Sequence, residues 1–187
     1  MPFLSEDDRQ SLLRLARDAV VQAVSFDRLP AQIPAHGAFA EKRGVFVTLR
    51  IGGQLRGCIG VVEPDQPLGE SIVRCAASAA LQDTRFSPAR PDELADLHVE
   101  ISLLSPPLPL RPEEIEIGRH GLMVVRGERR GLLLPQVAIA HRFTPELFLA
   151  ETCRKAQLPP EAWREPDAQL FGFTCEVFSD RERHVAT

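Results

Sequence analysis

The chain has 187 residues, of which 44% are hydrophobic and 26% charged, and its formal net charge is -4. A single core suits that length, and the composition excludes disorder, collagen and a coiled coil; no apolar stretch approaches the roughly 20 residues of a membrane span. An acidic balance also argues against a surface that tracks nucleic-acid phosphates: only Lys42 and Lys155 are lysines, and a bias toward arginine among the 22 basic residues explains the rest as readily as phosphate binding does.

The start, MPFLSEDDRQ, is acidic where a secretory leader is basic and then apolar, so the expected compartment is the cytoplasm. Ser5 ahead of Glu6, Asp7 and Asp8 predicts a helix start, and Leu12, Leu15, Ala16, Ala19, Val20 and Ala23 continue with helical spacing. Pro30, Pro34 and Gly37 mark residues 27–43 as a connecting loop.

Two copies of one β-β-α-β pattern follow. The first runs GVFVTLRIGGQLRGCIGVV (hairpin), PLGESIVRCAASAAL (helix) and LHVEISLLS (strand); the second runs GLMVVRGERRGLLLPQ, PELFLAETCRKAQL and FGFTCEVFS. Aligning the copies matches Arg56–Cys58 with Arg130–Leu132, Cys75 with Cys153, and Glu100 with Glu176. Pro67 and Pro145 are expected to open the two helices, since proline at the first helical position gives up no hydrogen bond. The expected class is α+β, with helices packed on mixed sheet as two lobes of one domain spanning 1–187. Its parts are the N-terminal helix and first unit (5–104), a proline-rich joint (105–120) with a short edge strand near IEIGRHG, and the second unit (121–179).

Hairpin register decides which way the first unit's cysteine points, because a slip of one residue exchanges the two faces. A three-residue loop, Gly52 to Gln54, pairs Ile51 with Leu55, Leu49 with Gly57, Val47 with Ile59 and Val45 with Val61, giving one wholly apolar face. Thr48, Arg50, Arg56, Cys58 and Gly60 then share the other. A cation two residues from a thiol favours the thiolate, and Gly57 and Gly60 leave room for a backbone or a ligand. The alternative is that both glycines seat the following helix and Cys58 fills a gap. Cys75, Cys153 and Cys175 fall on core stripes. No C-x-x-C pair occurs, so the four thiols are expected free, with no metal and no cofactor.

LRGCIG, DTRF (83–86), VEISLLSP (99–106), GRHGLMV (118–124) and GLLLPQVA (131–138), in that order, resemble the AMMECR domain family over almost the whole chain. The resemblance extends to the bacterial branch called AmmeMemoRadiSam system protein A. It implies a family without an assigned biochemical activity and, as partners, Memo-type and radical S-adenosylmethionine proteins. One departure is Thr84, where the family usually has proline. Carried onto this sequence, the hallmark points to Leu55, Arg56, Gly57, Cys58, Ile59 and Gly60 as a site, and the turn after the first helix adds Asp83 and Arg85 as an ion pair or an anion grip. His120 and Glu100 are the candidate proton carriers, with Arg130 and Gln136 behind them.

Two functions follow. In the first, LRGCIG lines a groove for a small ligand or a protein partner and Cys58 packs. In the second, Cys58 is a nucleophile or redox centre, Arg56 and Arg85 hold an anion, and His120 or Glu100 moves protons. The sequence favours the first, because no hydrolase triad spacing, phosphate loop, H-x-x-x-H pair or dinucleotide fingerprint is present.

Overall fold

The computed structural model describes residues 4–180; residues 1–3 and 181–187 of the expected domain lie outside the described residues. The chain divides into two compact units, one built from residues up to Leu104 and from Glu176 onward, the other from Ser105–Cys175.

In the first unit, helix α1 spans Glu6–Phe26. Ser5 starts it with a reciprocal cap: its hydroxyl accepts the Asp8 amide while the Asp8 carboxylate accepts the Ser5 amide. Strands β1 (Val45–Ile51) and β2 (Gln54–Val61) form the hairpin, α2 spans Leu68–Leu81, and β3 is Leu97–Leu104. With the last strand of the chain, called β8 below, the sheet order is β2-β1-β3-β8, which leaves β2 at an edge. Leu12, Ala16, Val45, Val47, Leu49, Ile72, Ala76, Val99 and Ile101 meet in its core, each fully buried.

In the second unit, β4 (Leu108–Pro109), β5 (Gly121–Arg126), β6 (Arg129–Leu133) and β7 (Gln169–Phe173) form a sheet of order β4-β7-β5-β6. A short α3 (Pro135–Ala140) and α4 (Pro145–Lys155) complete it. Leu122, Phe148 and Leu149 make one buried cluster, and Val124, Cys153 and Ala156 another. The α+β class, the N-terminal helix and the repeated hairpin–helix–strand order are therefore those expected.

Four details differ from expectation. The first hairpin turns on two residues, Gly52 (φ 58°) and Gly53 (φ 83°), both in the region open to glycine. Ile51 therefore faces Gln54 and Arg50 faces Leu55, while Leu49–Gly57, Val47–Ile59 and Val45–Val61 stand as expected. A bulge reconciles the two, leaving Arg56 without an opposite residue: the turn chemistry and the apolar register are both satisfied by ejecting one residue.

Second, FGFTCEVFS is two strands, β7 and β8 (Cys175–Ser179), in different sheets. The amide of Thr174, between them, donates to the Ser105 hydroxyl rather than to a ladder. Glu176 thus lies on β8 and does not match Glu100; the residue opposite the equivalent position of β5 is Phe171, on β7. Third, the short edge strand is Leu108–Pro109 within the proline-rich joint, not near IEIGRHG. Fourth, Pro67 is the cap of α2 rather than its first helical residue, whereas Pro145 opens α4 after the Thr144 cap.

Candidate functional site

Residues Leu55–Gly60 lie on β2, an edge strand, and the edge is dressed by the segment that follows α2. The Cys58 amide donates to the Asp83 carboxylate at 2.9 Å, and the Cys58 carbonyl accepts from Arg85 Nη2 at 3.2 Å. Arg85 also closes on Asp83 through Nε at 2.9 Å and Nη2 at 2.7 Å. Asp83 is buried, and the Arg85 guanidinium together with the Cys58 and Arg85 amides holds its carboxyl well below the usual carboxylate range. Of the two readings of Asp83 and Arg85, this geometry is the ion pair, and it covers strand polar groups that would otherwise invite another chain.

Arg56, ejected by the bulge, is a second clamp. Its Nε and Nη2 grip the Glu93 carboxylate at 2.8 and 2.9 Å, and Nη1 and Nη2 reach the carbonyls of Ser87 and Pro88 at 2.9 and 3.3 Å. That fork pulls the Glu93 carboxyl down to about 2. Arg85, whose guanidinium reaches the Cys58 carbonyl, is already neutralised by Asp83.

Cys58 itself is half-buried. It lies opposite Thr48, and among the described residues the thiol's one hydrogen-bond partner is the Thr48 hydroxyl, which donates to sulfur at 3.3 Å. Thr48 in turn lies opposite Glu100 on β3, so the three form one row across the sheet. Strand spacing sets Cys58 and Glu100 about 10 Å apart along that row. Glu100 is ion-paired to Arg50 at 3.8 Å. The other thiols are less available: burial pushes Cys75 up to about 11 and Cys175 up to about 12, and raises Cys153 as well.

Gly57 is explained by the helix. A Cβ there would collide with the carbonyl of Ala79 on α2, while one at Gly60 would meet the Phe46 ring. Leu55 is part-exposed and Ile59 half-buried at the same edge.

His120, Arg130 and Gln136 belong to the second unit. His120 closes a local turn, its Nδ1 accepting the Glu116 amide at 3.2 Å. Arg130 lies on β6 opposite Val125, and Gln136 on α3.

Sequence reasoning missed Glu93, Ser87 and Pro88, the partners of Arg56. It also missed two concavities beside β2. One, of about 490 Å³, lies at the Arg56 end between Arg85, Phe86 and Arg90; the other, of about 200 Å³, begins at Ile59 and runs along α2. Among the described residues no group of three or more His, Cys, Asp and Glu side chains is arranged to hold a metal, and no helix is long and apolar enough to cross a membrane.

A profile of the AMMECR1 family matches residues 13–178. A protein of Methanothermobacter thermautotrophicus is 43% identical, over 95% of this chain and 96% of its own length. One of Thermococcus gammatolerans is 45% identical, over 90% of this chain and 88% of its own. The crystal structure of an uncharacterized protein from Pyrococcus horikoshii superposes with a TM-score of 0.85 at 38% identity, covering 94% of this chain and 93% of that one.

Proposed function

Given that this chain belongs to the AMMECR1 family, we propose that it is a binding accessory protein whose recognition groove borders Leu55–Gly60, with Cys58 packing there rather than attacking a substrate. The observation that carries this reading is the engagement of the local charges: Arg56 with Glu93, and Arg85 with Asp83. A nucleophilic thiol needs a base to take its proton or a cation with charge to spare, and a threonine hydroxyl that donates to sulfur supplies neither. Concavities at both ends of the strand give a ligand or partner segment room to dock.

The family resemblance makes Memo-type and radical S-adenosylmethionine proteins the first partners to test, in the cytoplasm. The net charge of -4 disfavours nucleic acid. Alkylation of the native protein with iodoacetamide near neutral pH, resolved by site in a mass spectrometer, tests the assignment. Modification of Cys58 no faster than of a cysteine in an unfolded peptide is expected. Strongly accelerated, single-site modification there returns the cysteine-dependent enzyme, with Arg85 rather than Arg56 as the activating cation.

A further inference from the structure

The cavity of about 200 Å³ beside α2 carries a pattern that the hallmark strand does not account for. Its wall includes Ile59 and Val61 from β2, two apolar side chains. Opposite charges stand at its rim: Asp65, in the loop before α2, and Arg74, on the helix, both exposed. They are not within ion-pair distance of each other, and among the described residues neither has another ionic partner; Arg74 donates only to the neutral amide oxygen of Gln66, at 2.8 Å. Among the described residues most other arginines are paired to a carboxylate, and Arg14, Arg28 and Arg129, like Arg74, meet only neutral groups.

Ser71 adds an independent observation. It lines the same cavity one helical turn before Arg74 and is only 5% exposed, yet among the described residues its hydroxyl has no hydrogen-bond partner. Among the described residues no buried side-chain oxygen or nitrogen lacks a partner, so this hydroxyl opens into the cavity, where a ligand's polar atom can meet it. The volume lies below that of pockets for drug-sized ligands, which limits any occupant to the size of a small metabolite.

We propose that this cavity binds a free α-amino acid with a short aliphatic side chain. The ligand carboxylate meets Arg74 and the Ser71 hydroxyl, its ammonium meets Asp65, and its side chain lies on Ile59 and Val61. A zwitterion answers two opposite charges that do not meet each other, which a plain carboxylate or a plain amine does not. The inference rests on the binding role proposed above and gives that role a ligand class.

Calorimetric titration of the full chain with L-valine, isovalerate and isobutylamine tests it. L-Valine is expected to bind, with the two single-charge analogues about tenfold weaker or more. Arg74→Gln and Asp65→Asn should each weaken L-valine by about tenfold, and Asp65→Asn should leave isovalerate no weaker. Both side chains are exposed, so neither variant threatens the fold. Absence of L-valine binding at millimolar concentration overturns the proposal; so does isovalerate binding as tightly as L-valine, or an Arg74→Gln protein that binds L-valine unchanged. None of these outcomes moves the Cys58 alkylation rate, so the loss of this ligand class and the loss of the accessory role are read separately.

Discussion

Gly57 on β2 and Gly131 on β6 occupy matching places in the two units. Each lies opposite a fully buried residue of the preceding strand, Leu49 or Val124. Each also runs beneath a helix backbone: a Cβ at Gly57 would strike the Ala79 carbonyl, and one at Gly131 the Ala156 amide and Thr152 carbonyl. The next residue differs. Cys58 faces Thr48, whereas Leu132 faces Met123. The surroundings differ too, because β2 is clamped by Asp83, Arg85 and the Arg56–Glu93 pair, while on β6 Arg129 donates to the Gln157 carbonyl just beyond α4. What recurs in both units belongs to the architecture; what occurs in one is where a specific role resides. By that criterion the glycine of the hallmark hexapeptide is a packing device, and the thiol and its clamp are what distinguish the first unit.

The largest effects should fall on the shared feature. Gly57→Ala and Gly131→Ala each drive a methyl into backbone that has no rotamer to yield, and each is expected to cost about 3 kcal/mol, lowering Tm by about 10 °C. Thermal unfolding of both variants checks the equivalence. A Gly57→Ala protein with wild-type Tm and impaired ligand or partner binding would break the comparison, because the glycine would then serve the ligand and not the helix.

How much of this was legible in the sequence depends on the range of the interaction involved. Ser5 and the heptad-like run of α1 are local signals, and the structure has that helix and its cap. The apolar faces of β1 and β2 set the far register of the hairpin correctly, since Val45, Val47 and Leu49 admit only one partner set. The bulge was hidden because the two-residue turn and the apolar register conflict by one residue, and nothing local says which residue is ejected. The sequence sets Arg56 beside its neighbour two residues away, whereas its partner, Glu93, lies 37 residues along the chain. FGFTCEVFS keeps one alternation through Thr174, so a change of sheet leaves no mark on its pattern.

Intermediate effects should be confined to the first unit and appear in acid. Asp83 is the one buried charged side chain among the described residues, and Asp83 and Glu93 both have carboxyls depressed by arginine, Glu93 to about 2. A carboxyl depressed in the folded state stabilises fully above its unfolded value of about 4, and that contribution is lost as pH falls toward the folded value. Between about pH 4 and pH 2 the amide of Cys58 should therefore lose hydrogen-exchange protection before the amides of β6 do. Glu93→Gln should be less stable at neutral pH by about 2 kcal/mol and show a flatter acid dependence over that window. Equal loss of protection in β2 and β6 would mean that the clamp does not distinguish the two units.

The smallest effect is expected at the thiol of the hallmark hexapeptide. Cys58 is half-buried, and its sulfur accepts one hydrogen bond from a neutral hydroxyl. Cys58→Ala removes little buried apolar volume and leaves Thr48 with an unmatched hydroxyl, for a cost of about 1 kcal/mol. Cys153, a residue of α4 fully buried in the cluster with Val124 and Leu158, should cost more when changed to alanine, about 2 kcal/mol, because its cavity has no solvent side to relax into. Urea unfolding of the two variants gives the ordering. A reversed order would make Cys58 a structural keystone of the clamp, whereas the expected order, with loss of cellular function on Cys58→Ala, would tie the thiol to the recognition groove and leave Gly57 to the fold.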